Sequence, residues 1–216
     1  MILKVLVGLA ALVVLVVGVV AVVVALQPSE FRITRSATIA APVAAVFAQV
    51  NDFHNWAGWS PWAKLDPSAK NTFEEAPAGT GAVFAWAGNS TVGEGRMTIT
   101  ESRSGELVRI KLEFVRPFVA INTAEFTFKP EDGRTVVTWS MFGHNNFIGK
   151  AVYLFVNMDK ALGGEFEKGL AGMGSMAEAA AKTRGSITMR FMVQVRADKN
   201  TEAGVMPSEK AGRSKG

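Results

Sequence analysis

The 216 residues include 49% hydrophobic side chains, no cysteine and a formal net charge of +4. That is enough apolar material for one domain of ordinary size with a real core, and the lack of thiols excludes disulfides and thiolate metal sites. The charge also argues against nucleic acid as a partner. Residues 184–216 hold seven basic and three acidic side chains, so the surplus is in the tail and the rest balances at 16 and 16, leaving no basic face for phosphates.

In chain order, the first element is an apolar run. From Val5 to Leu26 no side chain is charged or strongly polar. As a helix the run spans about 33 Å, enough to cross a hydrocarbon layer of about 30 Å, and in lipid a helix satisfies its own backbone groups. A cleaved signal peptide has an apolar region of roughly 7–15 residues followed by a small-residue cleavage site. This run is longer, and Val24-Ala-Leu-Gln-Pro28 offers no such site. The expectation is a single-pass membrane anchor over residues 1–27. Lys4 and the terminal amine precede the run while Arg32 and Arg35 follow it. The positive-inside rule then leans narrowly towards a cytoplasmic N-terminus and an exported domain.

After the polar break Gln27-Pro-Ser-Glu30, residues Phe31–Ile39 alternate apolar and polar as a half-buried strand does. Ala41-Pro42 opens a short helix, with Pro suited to its first turn; Val43, Val46, Phe47 and Val50 recur at helical spacing. Asn51–Trp62 then packs Trp56, Trp59 and Trp62 at intervals of three and reads as a second short helix or turn stopped around Pro61. Six strand candidates follow: Asn71–Glu75, Ala82–Ala87, Gly93–Glu101, Leu107–Phe114, Asn122–Pro130 and Thr135–Phe142. The turns between them are short, which allows only an antiparallel meander, and Asp132-Gly133 is a hairpin signal.

From Phe147 to Lys182 the period becomes helical, with Leu162, Phe166, Leu170, Met173, Ala177 and Ala180 on one stripe. The glycines at 163, 164, 169, 172 and 174 suggest either close approach of this helix to the sheet or a break near Gly163-Gly164. Ile187, Met189, Phe191, Val193 and Val195 alternate with polar residues and suggest a further strand over 187–196, and the residues beyond it read as disordered. The organisation expected is thus an anchor over 1–27, a domain over 28–183 and a basic tail over 184–216.

A strand, two short helices, a meander and one long helix form the order of an α+β helix-grip fold, a curved antiparallel sheet wrapped around a long C-terminal helix. Ser36–Phe47, the Trp56-x-x-Trp-Ser-Pro-Trp62 segment, Gly88-Asn89 with Val92–Met97, Thr138–Met141 with Gly143, and Gly149-Lys150 with Met158-Asp-Lys resemble the SRPBCC superfamily. Within it they are similar to the polyketide cyclase/dehydrase and lipid-transport-like branch, which often carries one N-terminal hydrophobic segment. The resemblance covers residues 31–182 and implies a cavity for a hydrophobic ligand. It does not imply one reaction, because related folds bind, carry or transform their ligands.

Trp56, Trp59, Trp62, Trp86 and Trp139 are the candidate ligand wall, since such pockets are mostly apolar with few polar anchors. The competing reading is that these rings plug the core. His54 and His144 are the two candidates for proton transfer, set against ordinary capping and surface roles. With no cysteine and no closely spaced His/Asp/Glu set, neither a metal nor another cofactor is expected. Three functions stay open. The first is non-catalytic binding or carriage of an apolar small molecule or lipid beside a membrane. The second is a cyclase or dehydratase using His54 or His144, and the third is an interaction module with an occluded cavity, whose Ile187–Val195 strand joins a partner's sheet. Neither ligand identity nor oligomeric state is legible.

Overall fold

The computed structural model describes residues 1–74, 76 and 78–203, the side chains of 193, 195 and 197–203 excepted. Residues 204–216, the rest of the segment read as disordered, lie outside the described residues. The chain forms two compact units, residues 1–178 and 179–216.

The first element is α1 (Ile2–Leu26), a helix long and apolar enough to cross a membrane, as a single-pass anchor or a signal sequence would be. Then come β1 (Glu30–Ile39), α2 (Val43–Asn51) and α3 (Trp56–Trp59), the last flanked by 3-10 turns at Phe53–Asn55 and Pro61–Lys64. Pro61 therefore opens a further turn where the sequence suggested a stop; proline's fixed φ suits a first helical position. Next are β2 (Lys70–Glu74), β3 (Val83–Ala87), β4 (Glu94–Arg103), β5 (Leu107–Arg116), β6 (Ala120–Glu131) and β7 (Arg134–His144), followed by α4 (Phe147–Phe155) and α5 (Met158–Ala203).

All seven strands join one antiparallel sheet in the order β1-β7-β6-β5-β4-β3-β2. The fold is the α+β helix-grip arrangement expected. Asp132 (φ 49°) and Gly133 (φ 76°) both adopt positive φ at the β6–β7 hairpin, the type I′ geometry an Asp-Gly pair favours.

Side chains alternate across the sheet. On its inner face Ile33, Ile39, Ile99, Val108, Ile110, Phe126 and Val137 are buried, and Phe166, Leu170, Met173 and Ala177 of α5 are buried opposite. The outer face carries Thr34–Ser140 and Ser36–Thr138 hydroxyl pairs, and Arg109 bridges Glu125 and Glu101. Cross-strand polar pairs of this kind suit a solvated face.

Two expectations need correction. The helical region breaks at Val156-Asn157 and not at Gly163-Gly164. There Asn146 and Asn157 side chains accept from Gly149 N and Lys160 N, capping α4 and α5 at their starts. Residues 187–196 are helical within α5, not a strand. A strand needs a neighbour for its backbone, whereas a helix bonds within itself, and Ile187 and Phe191 also stand one helical turn apart. Addition of that segment to a partner's sheet is set aside with it.

Candidate functional site

The inner face of the sheet holds two groups of rings. The first lies under α5. Trp139 stacks on Phe166 (4.2 Å between centroids, 7°) and on Phe126 (4.8 Å), and Trp59 and Trp62 meet Trp139 edge-on at 5.8 and 5.9 Å. Trp56 touches Trp59 at 4.6 Å. The indoles of Trp56 and Trp59 donate to the carbonyls of Val50 and Gln49, both at 3.0 Å, so α3 is tied back onto α2. Trp56, Trp59 and Trp139 are buried and Trp62 is half-buried. Here the close approach of α5 depends on glycine: a Cβ at Gly169 would stand 2.8 Å from the Trp139 ring.

Trp139 Nε1 and Gln49 Oε1 are buried with no hydrogen-bond partner among the described residues. A buried polar atom left alone costs about 1–3 kcal/mol. The ring group therefore carries one such polar atom, Trp139 Nε1.

Trp86 belongs to the second group, across β2–β5. Pairing of Phe73 with Phe84, Phe84 with Met97, Trp86 with Gly95 and Gly95 with Phe114 places these side chains on the inner face. Phe84 lies 5.3 Å from Phe73 and 6.1 Å from Trp86, and Trp86 meets Phe114 edge-on at 6.0 Å. The Trp86 ring occupies the space over Gly95, where a Cβ would come within 2.5 Å of it, and its N–H donates to Val92 O at 3.0 Å. These rings are only partly covered: Phe84, Trp86 and Phe114 are half-buried and Phe73 is exposed. Phe53 bridges the two groups, 6.0 Å from Phe84 and 5.5 Å from Trp56.

His54 extends the second group by stacking on Phe73 (4.1 Å, 17°). Its Nδ1 lies 2.9 Å from Asp52 Oδ1, which also accepts from the His54 backbone N–H. His144 is not brought near it. It sits at the end of β7 opposite Glu30, 3.5 Å from that carboxylate, and lines an open groove of about 540 Å³ with Arg32, Ile121, Thr123 and Phe142 on the outer side.

Arg35, on the inner face of β1, reaches α5 and bonds Asp159 (3.0 Å) and Glu167 (2.8 Å). Its hydrogen bond holds the Asp159 carboxyl below the usual carboxylate range. Asp66 is lowered too, by the Ser68 hydroxyl and then by the Asn89 backbone N–H. It thereby latches the turn after the second 3-10 segment to the β3–β4 loop. Among the described residues no three His, Asp or Glu side chains gather as a metal site would require.

Residues 30–178 match the family model described as "Polyketide cyclase / dehydrase and lipid transport". The chain belongs to this family. No curated protein matches the chain. Among solved structures, a protein from Chromobacterium violaceum superposes on this family member with a TM-score of 0.50 at 15% identity, over 70% of this chain and 99% of its own. One from Rhizobium leguminosarum gives 0.51 at 12%, over 71% and 97%. The di-domain ARO/CYC StfQ from the steffimycin biosynthetic pathway gives 0.51 at 13%, over 71% of this chain and 52% of its own. At these identities the likeness is one of fold.

In this polyketide cyclase/dehydrase and lipid transport family member, sequence reasoning named Trp86 but missed Phe73, Phe84 and Phe114 beside it. The signal was present: on period-2 strands all four fall on inner positions once the hairpins fix the register. Arg35 was missed as well, because its partners lie more than 120 residues away.

Proposed function

We propose that the chain binds an apolar small molecule or lipid against the inner face of β2–β5, beside a membrane in which α1 is anchored, and carries it unchanged. The observation that supports this most is the partly covered row Phe73–Phe84–Trp86–Phe114, beside Met97, Ile99, Ile110 and Leu112, which are buried on the same face. Half-covered aromatic surface inside a curved sheet is what an apolar ligand would finish covering, and each Å² removed from water contributes roughly 25 cal/mol. The family's description, which includes lipid transport, agrees with this reading. We place the domain on the exported side of the membrane.

The test is lipid extraction and mass spectrometry on the full chain purified from producing cells, run beside Trp86→Ala. A stoichiometric apolar compound with the parent protein, reduced roughly tenfold in the variant, is the expected result. Equal amounts in both proteins, or no uptake of apolar probes by either, would overturn the reading.

A second reading rests on one observation, the Asp52–His54 pair stacked against Phe73 at the end of the same row. A carboxylate on one imidazole nitrogen fixes the ring's orientation and leaves the other nitrogen for a ligand, so His54 would move a proton on a polyketide-like chain. The same extraction decides it. A compound changed by incubation with the parent but not with His54→Gln favours a cyclase or dehydratase, and an unchanged compound with both favours carriage.

A further inference from the structure

At one end of the sheet the large apolar side chains face solvent. In the β5–β6 hairpin Phe118 is 62% and Val119 74% exposed, with Val115 and Ile121 exposed beside them. In α4, Phe147, Ile148 and Phe155 are exposed and no residue of the helix is buried. Soluble surfaces rarely leave contiguous apolar patches of this kind uncovered.

The register shows where this end lies. Asn122 of β6 pairs with Gly143 of β7, which pairs with Phe31 of β1. The hairpin tip, the start of β1 and the entry to α4 therefore share one end, and at about 4.8 Å per strand the hairpin is within roughly 10–15 Å of β1. That is also the end where α1 leaves the domain. Residues 2–19 of α1 are exposed, whereas Val24 is buried. Lys150 of α4 donates to the carbonyl of Ala25 (3.2 Å), one of the last carbonyls of α1, where a cation also meets the negative end of the helix dipole. Three residues further along the same side, Tyr153 holds α4 to β1 through Phe31, 5.5 Å away.

At 1.5 Å per residue α1 is about 37 Å long against a hydrocarbon layer of about 30 Å. Its last turns therefore reach the lipid–water boundary, and the elements pinned to them share that depth.

We propose that Phe118 and Val119 of the hairpin, with Phe147, Ile148 and Phe155 of α4, form a rim that inserts into the phospholipid bilayer crossed by α1. The five side chains of the rim are uncharged, while Arg116 beside them is paired with Glu94 and Lys150 with the Ala25 carbonyl; burial of such apolar side chains at the interface is driven by apolar area. It also adjoins the proposed ligand face. Trp86, Gly95 and Phe114 stand at the hairpin end of β3, β4 and β5, next to the Glu94–Arg116 pairing. An apolar ligand would pass from lipid to the aromatic row without crossing bulk water. This inference rests on the reading of α1 as an anchor.

The absence of native cysteine permits a direct test. Nitroxide labels are placed at Val119→Cys, Phe155→Cys, Leu12→Cys within α1 and Ser104→Cys on the exposed turn at the opposite end of the sheet, in the full chain reconstituted into phosphatidylcholine liposomes. Collision with oxygen, which partitions into lipid, is compared with collision with a water-soluble nickel chelate. The labels at Val119 and Phe155 are expected to resemble Leu12, at least fivefold less accessible to nickel than Ser104. If Leu12 is in lipid while Val119 and Phe155 match Ser104, the rim is overturned and the anchor stands. If Leu12 itself is open to nickel, the anchor falls and the rim with it.

Discussion

Gly164 and Gly169 of α5 are five positions apart and have opposite surroundings. Nothing lies within 4 Å of a Cβ built on Gly164, whereas one on Gly169 would meet the Trp139 ring at 2.8 Å and Pro61 at 3.2 Å. In a helix interior, exchange of Gly for Ala gains roughly 1 kcal/mol from propensity alone. Gly164→Ala is therefore expected to raise the unfolding midpoint. Gly169→Ala is expected to lower it, because overpacking a rigid ring costs about 1–3 kcal/mol. Thermal unfolding of both variants measures this, and a rise for both would mean that α5 does not press on Trp139. At this scale the sequence was informative about residue type and silent about depth. A cluster of Trp56, Trp59 and Trp62 announces an aromatic wall, but whether a ring is sealed or half-open depends on which stretch of α5 lies across it. That is settled by Gly169, which presses on Trp139 from another element, and by Arg35, 132 residues from Glu167.

Among the elements, the strands were the most legible. Each meander strand was read to within three residues at either end, because turn residues punctuate the chain and alternation marks the strands. Helices were less so. Alternation over residues 187–195 mimicked a strand, since a short window with apolar residues at every second position also contains i, i+4 pairs. The break between α4 and α5 falls where Asn157 caps the start of α5, a weaker signal in the sequence than a Gly-Gly pair. The unit containing the sheet ends at Glu178, and Ile187, Met189, Phe191 and Met192 are exposed. Deleting residues 185–216 is thus expected to move the unfolding midpoint of the full chain by less than about 3 °C, or under about 1 kcal/mol. Loss of a cooperative transition would show that the end of α5 belongs to the fold.

For the whole molecule, α1 was the plainest feature of the sequence, although length and apolarity alone also fit a signal sequence. The two differ in what a cell retains. The full chain is expected to stay with membranes through alkaline carbonate extraction and to show the mass of the uncleaved sequence. With Ser104→Cys, a membrane-impermeant maleimide is expected to label intact cells. A soluble product short by about 27 residues would indicate a leader peptide, and protection of the cysteine until cells are opened would reverse the orientation.

Pairing of β1 with β7 has a consequence in time. Ile39 bonds across to Thr135 and Glu30 to His144, so the first strand made must wait for the last. At roughly 5–20 residues per second, the intervening ~100 residues take about 5–20 s to synthesise. Throughout that interval β1 presents an unfilled ladder beside its own nascent chain, open to wrong partners. Slower elongation, even with an unchanged final fold, would lengthen that interval and raise the share of newly made chains lost to aggregation.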